Sequence, residues 1–150
     1  MLSDDLPVET THEVRDRCLC LHLQRAARAV GRQFDAALKP VGLNNGQFSI
    51  LMALNRPEAP RVGELAPFLA MDRTTLTAIL KPLERRGLIL VSPDEKDRRS
   101  RRLRLTDKGR DILVRAVPIW RATHDAVDAV LTDTGGDGLR QELRRLAARR

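Results

Sequence analysis

Residues 61–105 read RVGELAPFLAMDRTTLTAILKPLERRGLILVSPDEKDRRSRRLRL, and this stretch decides the fold. Apolar residues recur at helical spacing over residues 62–69, with Leu65 and Leu69 one turn apart and Val62 and Ala66 beside them. Ala70 and Met71 make a turn. Asp72 is placed as the N-cap of a second helix, accepting from the amides of Thr74 and Thr75. Leu76, Ile79, Leu80 and Leu83 give that helix an inward face, and Gly87 is its left-handed cap. Two β-rich runs, residues 88–91 and 103–105, flank a polar loop that opens at Ser92, Pro93 and Asp94 and closes at Ser100. Helix, turn, helix and arginine-tipped hairpin is the plan of a winged helix-turn-helix.

The second helix turns Arg73, Thr74, Thr77, Ala78 and Lys81 outward. Cationic, hydroxylic and small, this face offers donors to phosphates and base edges without bulk, as entry into a major groove requires. An ordinary solvated helix would more often carry Glu–Lys pairs there. Arg98 lies near the hairpin tip, where an arginine suits the enhanced negative potential of a narrow minor groove. The plainer alternative is a solvated arginine making incidental pairs. Pro67 removes the bond to the Gly63 carbonyl and predicts a shortened or distorted first helix; Pro82 predicts a kink in the last turn of the second.

Charge follows the same stretch. The net charge is +7 and the sequence pI about 10.6. Residues 85–104 hold eight cations against three acids, the footprint of a polyanionic partner unless the stripe is merely a solvated face. Aromatics are only 3% of the chain, with no tyrosine, so the core must be aliphatic and suits packed helices. The longest uncharged run, residues 40–55, carries Asn44, Asn45, Gln47 and Ser49, so no membrane span is expected. Asp4 and Asp5 stand where a secretory signal needs cations, and a cytoplasmic location is expected.

Outward from the central stretch, residues 1–10 show no periodicity and read as a frayed arm. A helix is expected over residues 13–39, with Leu19, Leu23, Ala26, Val30, Phe34 and Leu38 as one stripe and Val14, Cys18 and Leu21 as a second strip. Gly42 ends it. Asn44 and Gln47 are spaced as a capping box for a core helix carrying Phe48, Ile50, Leu51, Met52 and Leu54. Beyond the hairpin, Thr106 caps a helix of about 25 residues, more than so small a lobe needs internally. Pro118 should bend it, Gly135 and Gly136 break the chain, and a last helix carries Leu139, Leu143 and Leu146. The expected fold is mainly α (α+β), one domain over residues 1–150. A winged helix-turn-helix lobe (44–105) lies between terminal helices (11–39 and 106–150) whose spare apolar surface suits a homodimer.

Three segments in order, VGLNNGQFSIL, ELAPFLAMDRTTLTAILKPLERRGLI and DEKDRRSRRLRLTDKG, resemble the MarR (multiple-antibiotic-resistance regulator) family of bacterial transcription factors over nearly the whole chain. The resemblance implies a winged-helix homodimer on double-stranded DNA with a palindromic operator, often repressing and released by a ligand or oxidant. Small aromatic or phenolic acids are the family's usual effectors. It implies a recognition helix over residues 72–86 with Arg73, Thr74, Thr75 and Thr77 facing the groove, Lys81 adding a cation, and a wing carrying Arg98, Arg99 and Arg101. It further implies an Asp72–Arg99 pair joining wing to helix. Pro67 and Ala70 depart from the family pattern, Ala70 standing where glycine is frequent.

The placement of Cys20 resembles that of the reactive cysteine in hydroperoxide sensors of this family, although the assisting tyrosines are missing, and Cys18 could serve as a resolving thiol only with backbone movement, since positions two apart on a helix point away from each other. Packing as a small hydrophobe is the alternative. Cys18, His22, His12 and His124 close no compact metal motif, and no metal or other cofactor is expected. Arg25, Arg28 and Arg32 could draw an anionic effector, or simply form a solvated face. No nucleophile–base pair, carboxylate pair or phosphate loop is visible, so no enzyme is expected. A winged-helix module that binds protein rather than specific DNA is the remaining alternative.

Overall fold

The structure is a computed structural model and describes residues 6–148. Its helices are α1 (Val8–Arg17), α2 (Leu19–Leu38), α3 (Asn45–Ala53), α4 (Val62–Phe68), α5 (Arg73–Arg85), α6 (Asp107–Asp128) and α7 (Gly135–Ala148). A two-stranded antiparallel sheet, β1 (Ile89–Pro93) and β2 (Arg101–Leu105), stands between α5 and α6. The chain divides into two compact units, one ending at Gln33 and one beginning at Phe34.

The first unit holds α1 and most of α2. Where one helix was expected over residues 13–39 there are two, because Cys18 takes extended backbone (φ −68°, ψ 100°). Cys18 then caps α2, its Sγ accepting from the Leu21 amide at 3.4 Å. Val14, Cys18 and Leu21 keep helical spacing across the break, which is why periodicity does not reveal it. Of the arm expected at residues 1–10, the first five lie outside the described residues, and helix begins at Val8.

In the second unit the last turn of α2 buries Phe34 and Leu38. Gly42 adopts φ +73° and closes the following 3-10 turn (Lys39–Val41). The capping box of α3 is present: the Gln47 amide donates to Asn44 Oδ1 (2.8 Å) and the Asn44 amide to Gln47 Oε1 (3.1 Å). Phe48, Ile50, Leu51 and Leu54 are buried with Leu65, Leu76, Leu80, Leu83, Leu88, Leu103, Ile112, Leu113 and Ala116, one largely aliphatic core under the helix-turn-helix. Phe48 stacks on Trp120 with ring centroids 6.0 Å apart, joining α3 to α6.

α4 is seven residues long and runs through Pro67, the Leu69 amide still donating to the Leu65 carbonyl at 3.0 Å, and the turn after it is made by Ala70 at φ +52°. The strands are longer than the two β-rich runs, pairing Ile89 with Leu105, Val91 with Leu103 and Pro93 with Arg101. On its other edge β2 takes a bridge from Arg61, and the Leu103 amide donates to the Pro60 carbonyl at 2.9 Å. The hairpin is thereby laced to the loop before α4. Thr106 caps α6: its hydroxyl donates to the Gly87 carbonyl (2.7 Å) and accepts from the Gly109 amide (3.0 Å). At the C-terminal end Arg140 of α7 donates to both oxygens of Asp128 on α6, and to Asp137. No helix of the described residues is long and apolar enough to cross a membrane.

Candidate nucleic-acid interface

The outward face of α5 is built as its sequence requires. Leu76 and Leu83 are fully buried, Leu80 nearly so and Ile79 half-buried, which leaves Arg73, Thr74, Thr77, Ala78 and Lys81 lining one surface depression. The Thr77 hydroxyl donates to the Arg73 carbonyl at 2.8 Å, so the methyl and the oxygen lone pairs are what it has left for a ligand. Thr75 differs from the other candidates. Its hydroxyl donates to Asp72 Oδ2 (2.7 Å) and its amide to Asp72 Oδ1 (2.8 Å), which commits it to the cap. These two bonds, the hydroxyl first, hold the Asp72 carboxyl below the usual carboxylate range.

The wing and the helix meet. Arg73 of α5 lines a second depression together with Ser100 and Arg101 of the wing and Arg61, Val62, Gly63 and Glu64 at the start of α4. Arg98 and Arg101 line the adjoining one with Pro93, Asp94 and Glu95. One cationic surface therefore runs from Lys81 through Arg73 and Arg101 to Arg98. Arg99 is exposed, and its amide donates to Asp97 Oδ1 at 3.1 Å. The expected Asp72–Arg99 pair is not among the ion pairs formed by the described residues; the Asp72 carboxylate is occupied by Thr75 instead.

The acid that does organise the wing is Asp94, which the sequence places at the opening of the hairpin loop and as one anion in the basic stripe, with no partner assigned. It is the one charged side chain buried among the described residues, at 2% exposure. Oδ1 accepts from the amides of Lys96 (2.8 Å) and Asp97 (3.0 Å), closing the loop; Oδ2 accepts from Arg61 Nε (3.0 Å) and Arg102 Nε (2.5 Å). Arg102 also donates to the Ala59 carbonyl at 2.6 Å. The Lys96 amide, then the Asp97 amide and the two guanidinium groups, hold the Asp94 carboxyl well below its ordinary range against the opposing effect of burial. An acid directly after the last strand residue, Pro93, is a recognisable loop-closing position; its two arginine partners come from 33 positions before and 8 after, beyond any local pattern.

Both cysteines are free thiols. Cys20 is exposed, and its Sγ accepts from Gln24 Nε2 at 3.3 Å; Cys18 is half-buried in the cap of α2. Among the described residues no three His, Cys, Asp or Glu side chains are placed to hold a metal ion.

A helix-turn-helix joined to an arginine wing over one cationic surface is the geometry with which the comparisons agree. The MarR family model matches residues 43–100. The transcriptional activatory protein BadR of Rhodopseudomonas palustris is 34% identical over 130 residues, 84% of this chain and 74% of that protein. The chain belongs to the MarR family. It is thus a DNA-binding transcriptional regulator and no enzyme. Among solved structures, the Mycobacterium tuberculosis regulator MosR in complex with DNA is 38% identical, with a TM-score of 0.79 over 87% of this chain and 93% of that one. The transcriptional repressor CouR bound to a 23-mer DNA duplex is 34% identical, with a TM-score of 0.79 over 89% and 95% of the two chains.

Proposed function

We propose that this MarR-family chain is a homodimeric, sequence-specific regulator working in the cytoplasm, a repressor that a small aromatic or phenolic effector releases from a palindromic operator. Residues 44–105 read DNA in this proposal, and residues 11–39 and 106–150 supply the dimerisation helices. The observation that carries it is the continuity of the cationic surface: Arg73 of the recognition helix and Arg101 of the wing line the same depression. With α5 in a major groove, Thr74 and Thr77 face base edges, Arg73 and Lys81 face flanking phosphates, and the wing lies over the adjacent minor groove with Arg98 at its tip. CouR, named a repressor, and BadR, named an activatory protein, are both 34% identical to this chain, so the sign of regulation rests on the first of these likenesses.

Selection of bound duplexes from a random-sequence library, followed by titration at several salt concentrations, tests the reading. Thr74→Ala and Thr77→Ala are expected to change sequence preference by roughly tenfold at one or two positions and to leave non-specific binding alone. Arg98→Ala is expected to weaken binding to every duplex and to reduce the salt slope by about 1. Equal losses on all sequences for the threonine variants would remove base readout from α5, and an Arg98→Ala protein with unchanged affinity would remove the wing.

A further inference from the structure

We propose that Asp94 is a positioning residue for sequence-specific DNA binding, a buried carboxylate that locks the wing to the start of the helix-turn-helix through Arg61 and Arg102. The inference rests on the DNA-reading role proposed above and assigns that role a part it lacked. The wing arginines and the recognition helix must be presented together, yet the direct Asp72–Arg99 link is not formed. Asp94 supplies a different one. Its Oδ2 joins Arg61, the residue immediately before α4, to Arg102 of β2, while its Oδ1 shapes the loop that carries Arg98 and Arg99 and leads into Arg101 at the start of β2. Both guanidinium groups are about one-third exposed, and the one carboxylate between them offsets one of their two positive charges. Asp94 therefore weakens the indiscriminate pull of this arginine pair on phosphate and uses both as struts.

Charge and geometry then pull in opposite directions, which separates this role from plain structural support. Asp94→Asn frees the two arginines and adds one positive charge to the wing, so attraction to any duplex is kept or raised. The same change unlocks the wing from α4, so the simultaneous fit of wing and recognition helix is lost. A residue that merely kept the protein folded would reduce binding to all duplexes alike, because it would lower the active fraction.

The experiment compares wild type, Asp94→Asn, Arg61→Gln and the double variant on two duplexes: one enriched from a random library by the wild-type protein, and a scrambled duplex of the same composition. Each single variant is expected to lower the ratio of selected to scrambled affinity by about tenfold, the size of one lost base-pair contact. Asp94→Asn is expected not to weaken scrambled binding. The double variant is expected to be no worse in this ratio than the worse single one, since both cut one link. Arg61→Gln leaves the two loop-closing amide bonds of Asp94 in place, so it reports on the link even where Asp94→Asn folds poorly. Ratios unchanged in both single variants, equal loss on both duplexes, or losses that multiply in the double variant overturn the clamp. A wild-type protein that enriches no duplex overturns both this inference and the sequence-specific reading beneath it.

Discussion

Ala70 carries the turn between α4 and α5 at φ +52°, where the Cβ of an L-residue crowds its own backbone at roughly 1–2 kcal/mol. Glycine relieves that crowding but gains freedom in the unfolded chain, worth roughly 0.4–1 kcal/mol in the other direction. Ala70→Gly is thus expected to raise the melting temperature, by about 2 °C in a circular-dichroism melt; a fall would mean that the exposed methyl makes a contact worth more than the strain. Asp94 gives the residue scale its pH dependence. Its carboxyl is lowered in the folded protein, first by the Lys96 amide and further by Asp97, Arg102 and Arg61. The stabilisation is therefore complete above the unfolded value of about 3.9 and is lost as pH falls through the folded one. Denaturant midpoints of wild type should decline from about pH 5 downward, whereas Asp94→Asn should start lower and decline less, the two converging in acid. Asp72 and Asp128, also lowered, titrate in both proteins and cancel in the difference. Two parallel curves would show that the Asp94 bonds contribute nothing.

At the scale of elements, the junction between the sheet and α6 depends on Gly109. A Cβ built there would lie 2.2 Å from the Leu88 carbonyl oxygen and 2.8 Å from Leu105 Cδ1, so backbone would have to move. Gly109→Ala is expected to cost about 3 kcal/mol, the upper part of the overpacking range. Urea unfolding should show it as a lower midpoint with an unchanged slope; wild-type stability would mean that α6 shifts away from the sheet without penalty. This contact is also a measure of what the sequence could reveal. The caps at Asn44, Asp72 and Thr106 were legible because each is a local bond between residues three apart, and side-chain chemistry alone predicts it. The inward face of α5 was legible because burial repeats with the helix. The α1–α2 break at Cys18 was not, since the apolar strip crosses it unchanged. Nor was the cap bond of the Thr75 hydroxyl, a side chain that the family resemblance turns toward the groove. Asp94 was hidden for a different reason. Its partners come from the loop before α4 and from β2, and only the register that brings Arg61 beside Arg102 makes them neighbours.

For the whole molecule, the question is what covers the apolar surface of the terminal helices. Leu139, Leu143 and Leu146 recur along one side of α7 and are each between 37% and 41% exposed in the single chain. In the first unit Val14 and Leu19 are exposed as well. The proposed homodimer would cover such surfaces, and it would also give a small reading head its specificity: two recognition helices held together would read two half-sites roughly 34–36 Å apart, or a multiple of that. Linking them makes the second binding event intramolecular and raises affinity for a full palindrome by roughly 10²–10⁴ over one half-site. Leu143→Glu with Leu146→Glu places charge at positions that are 38% and 41% exposed in the single chain, so it costs far more in a dimer interface that buries them. Sedimentation of wild type at micromolar concentration is expected near twice 16.9 kDa, and of the double variant nearer the single-chain mass. The variant should keep its affinity for a half-site duplex and lose about 100-fold on the palindrome. Wild type sedimenting at the single-chain mass at every concentration would sink the dimer; a monomeric variant with unimpaired palindrome binding would leave the dimer standing but without its part in operator recognition.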